Sequence, residues 1–193
     1  FLNPIELEDD APIEVFIEMV PRTNGYGVRF TTRCATSEGS QTRIHAQATV
    51  VETRARIDQL VLSHEEQQAQ ASRCTEVQTF PERSASSQAK HIRFGGRWLC
   101  LKEIRTATDQ LRAVAYLDLG AFAAEVTGPA PHRLHPALLD TATGYAMSLI
   151  PGYTDEHLWA PIAYQEFNVY RPLAASIVSE VVLDSGSQAE GEA

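Results

Sequence analysis

The segment Leu134-His135-Pro136-Ala137-Leu138-Leu139-Asp140-Thr141-Ala142-Thr143-Gly144 carries the residues best placed for chemistry. Asp140 is the only acid between Glu125 and Asp155, and its neighbours are apolar. A carboxylate is costly to bury without a partner, so such a site favours the neutral acid, which can donate a proton. Asp140 also lies about one turn inside a helix N-terminus, where the macrodipole favours the anion by ~0.3–1 kcal/mol. Desolvation by several apolar neighbours is expected to outweigh that term. The chemistry implied is proton donation from a carboxyl on a helix.

That helix is predicted over about residues 135–150. Pro136 suits the first helical position, Ala137 to Ile150 contain no breaker but Gly144, and Pro151-Gly152 ends the run. Leu138, Leu139, Ala142, Tyr145, Ala146, Met147, Leu149 and Ile150 make it apolar nearly all round, which predicts an element enclosed by protein. Around it the chain reads as strands. Residues 13–20, 26–32 and 43–52 alternate polar and apolar side chains with turn residues between them, as in a three-stranded meander with one wet face. Further strands are expected at 97–104, 111–119, 158–164, 166–170 and 177–183. Residues 53–90, rich in Gln, Ser and Ala with Pro81 among them, read as a linker with a short surface helix, and 185–193 as a disordered tail. The fold class expected is α+β, with a curved antiparallel sheet wrapped on a central helix.

The chain of 193 residues suits one ordinary domain or a pair of small ones, and a first residue other than Met predicts a segment of something longer. Its composition, 44% apolar and 21% charged, is that of a folded globular protein. A net charge of −9 argues against nucleic acid, which selects clustered Lys and Arg. No apolar run reaches the roughly 18–20 residues of a membrane span. Cys34, Cys74 and Cys100 show no metal-ligand spacing and read as reduced packing thiols of a cytoplasmic protein. No metal site is expected, and the acids Glu6, Glu8, Asp9, Asp10, Glu14 and Glu18 read as a solvated face.

His135-Pro136-Ala137-Leu138-Leu139-Asp140 resembles the same segment of the dehydratase domains of modular polyketide synthases. Phe94-Gly95-Gly96-Arg97-Trp98 is similar to that family's Tyr-Gly-Pro-x-Phe segment. Trp159-Ala160-Pro161-Ile162 and Val169-Tyr170-Arg171-Pro172-Leu173 are similar to the strands behind the helix, and His45-Ala46-Gln47-Ala48 to a stretch ending the first half. The resemblance implies a double hotdog fold. It makes residues 1–52 the strands of a partial first hotdog and 91–184 the second. It also implies dehydration of a 3-hydroxyacyl thioester, carried on the phosphopantetheine of an acyl carrier protein, to a trans-2-enoyl thioester, with no other cofactor. Asp140 matches the family's acid. Carrier protein, neighbouring synthase domains and a homodimer are the expected partners.

Two departures qualify the expectation. The family's base lies in His-x-x-x-Gly-x-x-x-x-Pro on the first half's helix, and nothing of that kind precedes the strands at 11–52. His91 to Gly95 matches five positions, but Cys100 replaces the proline and the segment falls in the second half, so it reads as coincidence. The isolated chain is therefore expected to be inactive, or a non-catalytic module, or a double-bond-shifting or cyclising relative. The second departure is Gly144, where the family has Gln or His one turn after the acid and able to fix its rotamer. Gly144, Tyr145, His135 and Pro136 are assigned to the substrate site, His135 also capping and packing at the helix entrance. Tyr164 and Tyr170 are candidates to border an acyl tunnel. The basic run Arg93, Arg97, Lys102 and Arg105 is the candidate docking face for an acidic carrier protein.

Overall fold

The computed structural model describes residues 1–5, 12–36, 39–52, 64–84 and 87–184, and the chain divides into two compact units. The expected disordered tail and residues 53–63 of the expected linker lie outside the described residues.

The first unit comprises Phe1–Gln59 and Pro161–Phe167. Its strands β1 (Val15–Arg22), β2 (Gly25–Thr36) and β3 (Gly39–Val50) form an antiparallel meander in the order β1-β2-β3. The β1–β2 turn needs glycine: Gly25 has φ +145°, and a Cβ there would meet the Val50 carbonyl oxygen at 2.0 Å. A bulge falls between Phe30 and Thr31. His45, on β3, is buried. Its Nδ1–H donates to the Pro4 carbonyl at 2.9 Å, leaving Nε2 to accept from the Thr32 hydroxyl at 2.8 Å. One face carries Val15, Ile17 and Met19, with Val28 and Phe30 opposite Met19 and Ile17. Among the described residues of this unit no helix covers it, and Ile17 remains 62% exposed, an apolar face of the kind that meets another surface.

The second unit, Leu60–Ala160 with Asn168–Ala193, holds a four-stranded antiparallel sheet ordered β4-β5-β6-β7. The strands are β4 (Glu76–Ser84), β5 (Leu101–Thr106), β6 (Arg112–Asp118) and β7 (Ser176–Val182), with helices α1 (His64–Ser72), α2 (Ala124–Thr127) and α3 (Pro136–Gly144). Strand β4 occupies what the sequence reads as linker. Pro81 is tolerated because β4 is an edge strand, and the register breaks between Thr79 and Ser84. Residues 158–164 and 166–170, expected as strands, are irregular and pair with no described strand.

Strand β6 is buried on both faces. Ala113, Ala115 and Leu117 join Cys100, Leu101, Leu119, Leu138, Tyr145, Ala146 and Leu149 in the main core, while Val114 packs with Cys74 and Ala107 on the other side. The alanines let α3 lie close to the sheet. The Tyr145 hydroxyl donates to the carbonyls of Ala113 (2.8 Å) and Ser179 (3.0 Å), and the Ser179 hydroxyl donates to the Ala142 carbonyl at 2.9 Å. Cys74 and Cys100 are free, buried thiols, and burial pushes both thiol pKa values up.

Helix α3 ends at Gly144, not at residue 150. Ala146 leaves helical geometry (φ −98°, ψ 21°), and Met147–Leu149 form a separate 3-10 turn. Residues 145–150 therefore do not extend the helix faces, and the appearance of an all-round apolar helix disappears. Ala137, Leu138 and Thr141 face the core, while Pro136, Asp140 and Thr143 are exposed.

Leu138 is fully buried, so Leu138→Ala should cost about 2–5 kcal/mol of unfolding free energy in denaturant titration. A change below about 1 kcal/mol would show that α3 is not packed as described.

Candidate active site

The residues around Asp140 come from three pieces of the second unit: the 3-10 turn Gly96–Trp98, α2 and the start of α3. The Asp140 carboxyl is exposed, and its Oδ2 accepts a hydrogen bond from the indole Nε1–H of Trp98 at 2.7 Å. This corrects the expectation of a carboxyl enclosed by apolar groups. With the helix stopping at 144, its apolar positions point to β6 and β7, and Asp140 falls on the opposite stripe.

One residue earlier, Arg97 is tied to α2. Its Nε donates to both oxygens of Glu125, at 2.8 and 2.9 Å, while its guanidinium lies 5.2 Å from the centroid of Phe122. Glu125 also bonds His135, the N-cap of α3, through Nε2 at 2.9 Å. His135 is fully buried, and its ring stands edge-on to His132 with centroids 5.5 Å apart. The hydrogen bond from His135, and then the Arg97 guanidinium, hold the Glu125 carboxyl below the usual carboxylate range. A third tie joins the same segments: the Cys100 thiol donates to Thr141 Oγ1 at 3.4 Å.

The predicted site residues divide. Pro136, Asp140 and Gly144 lie along one side of α3, the first two exposed and Gly144 half-buried. His135 and Tyr145 turn inward and do not line an open substrate site. Tyr145 is buried in the core with its hydroxyl committed to two carbonyls, and burial pushes its pKa to about 12. Gly144 is not demanded by packing, since a Cβ there would meet only Met147 Cε, at 3.5 Å. Tyr170 lines an open cleft with Arg133, Leu134, Val169, Arg171 and Pro172, whereas Tyr164 stacks edge-on with Phe1 in the first unit.

Of the expected docking cations, Arg97 is paired with Glu125 and Arg105 with Glu103, so neither offers a free charge; Arg93 and Lys102 are exposed. His91, in the coincidental motif, is exposed and bonds the Asp155 carbonyl through Nε2 at 2.9 Å. Two participants were missed from sequence, Trp98 and Glu125. Trp98 could have been found as the one residue of Phe94–Trp98 with a neutral N–H donor on a ring; Glu125 carries no spacing signal toward His135.

A four-stranded antiparallel sheet packed on one short helix defines this unit as hotdog-type, and the chain as α+β. Residues 62–193 match the family described as polyketide synthase dehydratase N-terminal domain. The chain belongs to the polyketide synthase dehydratase family. Among solved structures it is similar to the dehydratase domain from the CurK module of the curacin polyketide synthase, with 23% identity and a TM-score of 0.59. It is likewise similar to a CurK dehydratase inactive mutant, with 24% identity and a TM-score of 0.60. In both cases the match covers 89% of this chain and 56% of the solved chain, so the chain spans little more than half their length. No curated protein matches the sequence.

Glu125 has a lowered pKa in the folded state, so its stabilising effect is present above the unfolded carboxylate value, near ~4.3, and is lost as pH falls through the folded value. Glu125→Gln should therefore melt below the native protein at neutral pH, with the gap closing as the pH is lowered past about 4. A gap independent of pH would remove the ionised Glu125 from the bridge.

Proposed function

We propose that this chain is the acid-bearing part of a polyketide synthase dehydratase, acting on a 3-hydroxyacyl thioester held by an acyl carrier protein. The supporting observation is the Asp140 carboxyl, presented on the open side of α3 with one oxygen held by Trp98. In this reading a histidine base from outside residues 1–193 removes the proton from the carbon beside the thioester carbonyl. The released electron pair forms the new double bond as the bond to the 3-hydroxyl oxygen breaks. Asp140 gives its proton to that oxygen, and water leaves. The family description speaks of an N-terminal domain, whereas the presence of a three-stranded sheet ahead of α3 favours the second half of a double hotdog.

By itself the chain lacks the base and is proposed to be inactive. Arg93 and Lys102 remain as candidate contacts for an acidic carrier protein, which binds through complementary charge. A second reading, a non-catalytic module that spaces neighbouring synthase domains, is favoured by the absence of a side chain at Gly144.

The test is water loss from a 3-hydroxyacyl carrier-protein thioester by the synthase polypeptide containing this chain, followed by mass spectrometry. Asp140→Asn should lower the rate by about 10²- to 10⁴-fold, the usual contribution of a general acid. An unchanged rate would remove Asp140 as the acid and leave the non-catalytic reading; a dehydrated product with its double bond at the 3 position, told by NMR from the 2-enoyl isomer of equal mass, would indicate double-bond migration.

A further inference from the structure

We propose that Trp98 is a positioning residue for the catalytic carboxyl, its indole N–H setting the rotamer of Asp140 and selecting the oxygen that delivers the proton. The inference rests on the reading of Asp140 as the acid and adds to it a residue outside its helix.

Nothing on the Asp140 side of α3 does this from within the helix. Side chains three or four residues away are the helix neighbours of Asp140. Pro136 and Ala137 have no side-chain donor and Gly144 has no side chain. The hydroxyl of Thr143 donates to the carbonyls of Leu139 (3.0 Å) and Asp140 (3.2 Å). The donor instead crosses from the turn Gly96–Trp98. An indole N–H can only donate, so Oδ2 must be the acceptor whether the carboxyl is ionised or neutral. In the neutral acid the carbonyl oxygen is the better acceptor, which favours Oδ2 as the C=O and Oδ1 as the carrier of the transferable proton. The separation of 2.7 Å lies at the short end of N–H···O bonds.

The donor is held as firmly as the acceptor. Glu125 grips Arg97 on one side and His135 on the other, so the residue before Trp98 and the N-cap of the helix bearing Asp140 hang from one carboxylate. Cys100, two residues after Trp98, bonds Thr141, one residue after Asp140. The Trp98–Asp140 bond lies between these two ties, and its geometry follows from them.

Two measurements decide the proposal. The first is steady-state dehydration by the synthase polypeptide containing this chain. Trp98→Phe keeps an aromatic ring and removes the N–H, and should lower kcat about 10- to 100-fold with KM nearly unchanged, as expected for a misplaced reacting group. Adding Gly144→Gln, an amide donor one turn from the acid in a position with room for a side chain, should recover part of the loss. Gly144→Ala in the same background should not. The second measurement needs no turnover and no Phe variant: the indole N–H resonances of Trp98 and Trp159 in the native chain. The Trp98 signal should move in Asp140→Asn, while the Trp159 signal stays in place.

If Asp140→Asn abolishes water loss while Trp98→Phe leaves kcat, KM and pH profile as in the native protein, the positioning role fails and the assignment of the acid stands. If Asp140→Asn leaves water loss unchanged, the assignment of the acid fails and this proposal with it. An indole signal indifferent to Asp140→Asn overturns the hydrogen bond itself, even where the Phe variant misfolds.

Discussion

The docking of α3 on β6 and β7 determines every other feature of the second unit. Ala113 and Ala115 leave space where larger strand residues would push the helix away, and Leu138 and Leu149 fill the remaining volume. Polar ties then fix the position. The hydroxyl of Tyr145 satisfies carbonyls of both strands, and the hydroxyl of Ser179 returns a bond to the helix carbonyl of Ala142. A buried hydroxyl is expensive unless bonded, so these contacts penalise any rotation of α3 about its axis more than they reward the native one. Because the helix cannot rotate, the stripe Pro136, Asp140, Thr143 has one orientation, away from the sheet. The exposure of Asp140 is thus a consequence of packing several residues away from it.

A second constraint fixes what faces that stripe. His135 is fully buried with its Nε2 on Glu125, and among the described residues its Nδ1 has no hydrogen-bond partner. A buried ring nitrogen left unpaired carries a cost, and the bond to Glu125 is what offsets it. Arg97 completes the group. Exposed ion pairs contribute little in general, but here the Glu125 carboxylate has two partners on different segments, and one of them is buried. The role of this bridge is geometric: it brings the Gly96–Trp98 turn to the entrance of α3.

The parts legible from sequence were those whose pattern is local. Alternation of polar and apolar residues located β1, β2 and β3, because such a strand repeats every two residues, while β6 and β7 read as short runs rich in apolar residues. Strand β4 escaped since Pro81 and a run of Ser and Gln imitate a linker, and only its place at the sheet edge makes proline tolerable there. The end of α3 escaped for a related reason: residues 145–150 are as apolar as a helix continuation, yet they enter the core through a 3-10 turn. Asp140 was identifiable from its segment, but its surroundings were not, since Trp98 stands 42 residues away in sequence. No periodicity encodes such a bond. His135 and Tyr145, close to the acid in sequence, turn into the core, because consecutive helix positions point about 100° apart.

These constraints bear on the chemistry proposed. An acid that protonates a departing hydroxyl works best when bulk water is kept from the reacting oxygen, because each hydrogen bond then acts in a less polar medium. The second unit does not provide that shelter from its own described residues, as Pro136, Asp140 and Thr143 are all exposed. What it provides is alignment, through a helix that cannot turn, a turn that cannot drift and a bond between them. Alignment and shelter are separable requirements, and a protein can place them on different pieces of polypeptide. A carboxyl held in its reacting rotamer before its cover arrives has little conformational freedom left to lose when the substrate and the base are brought against it.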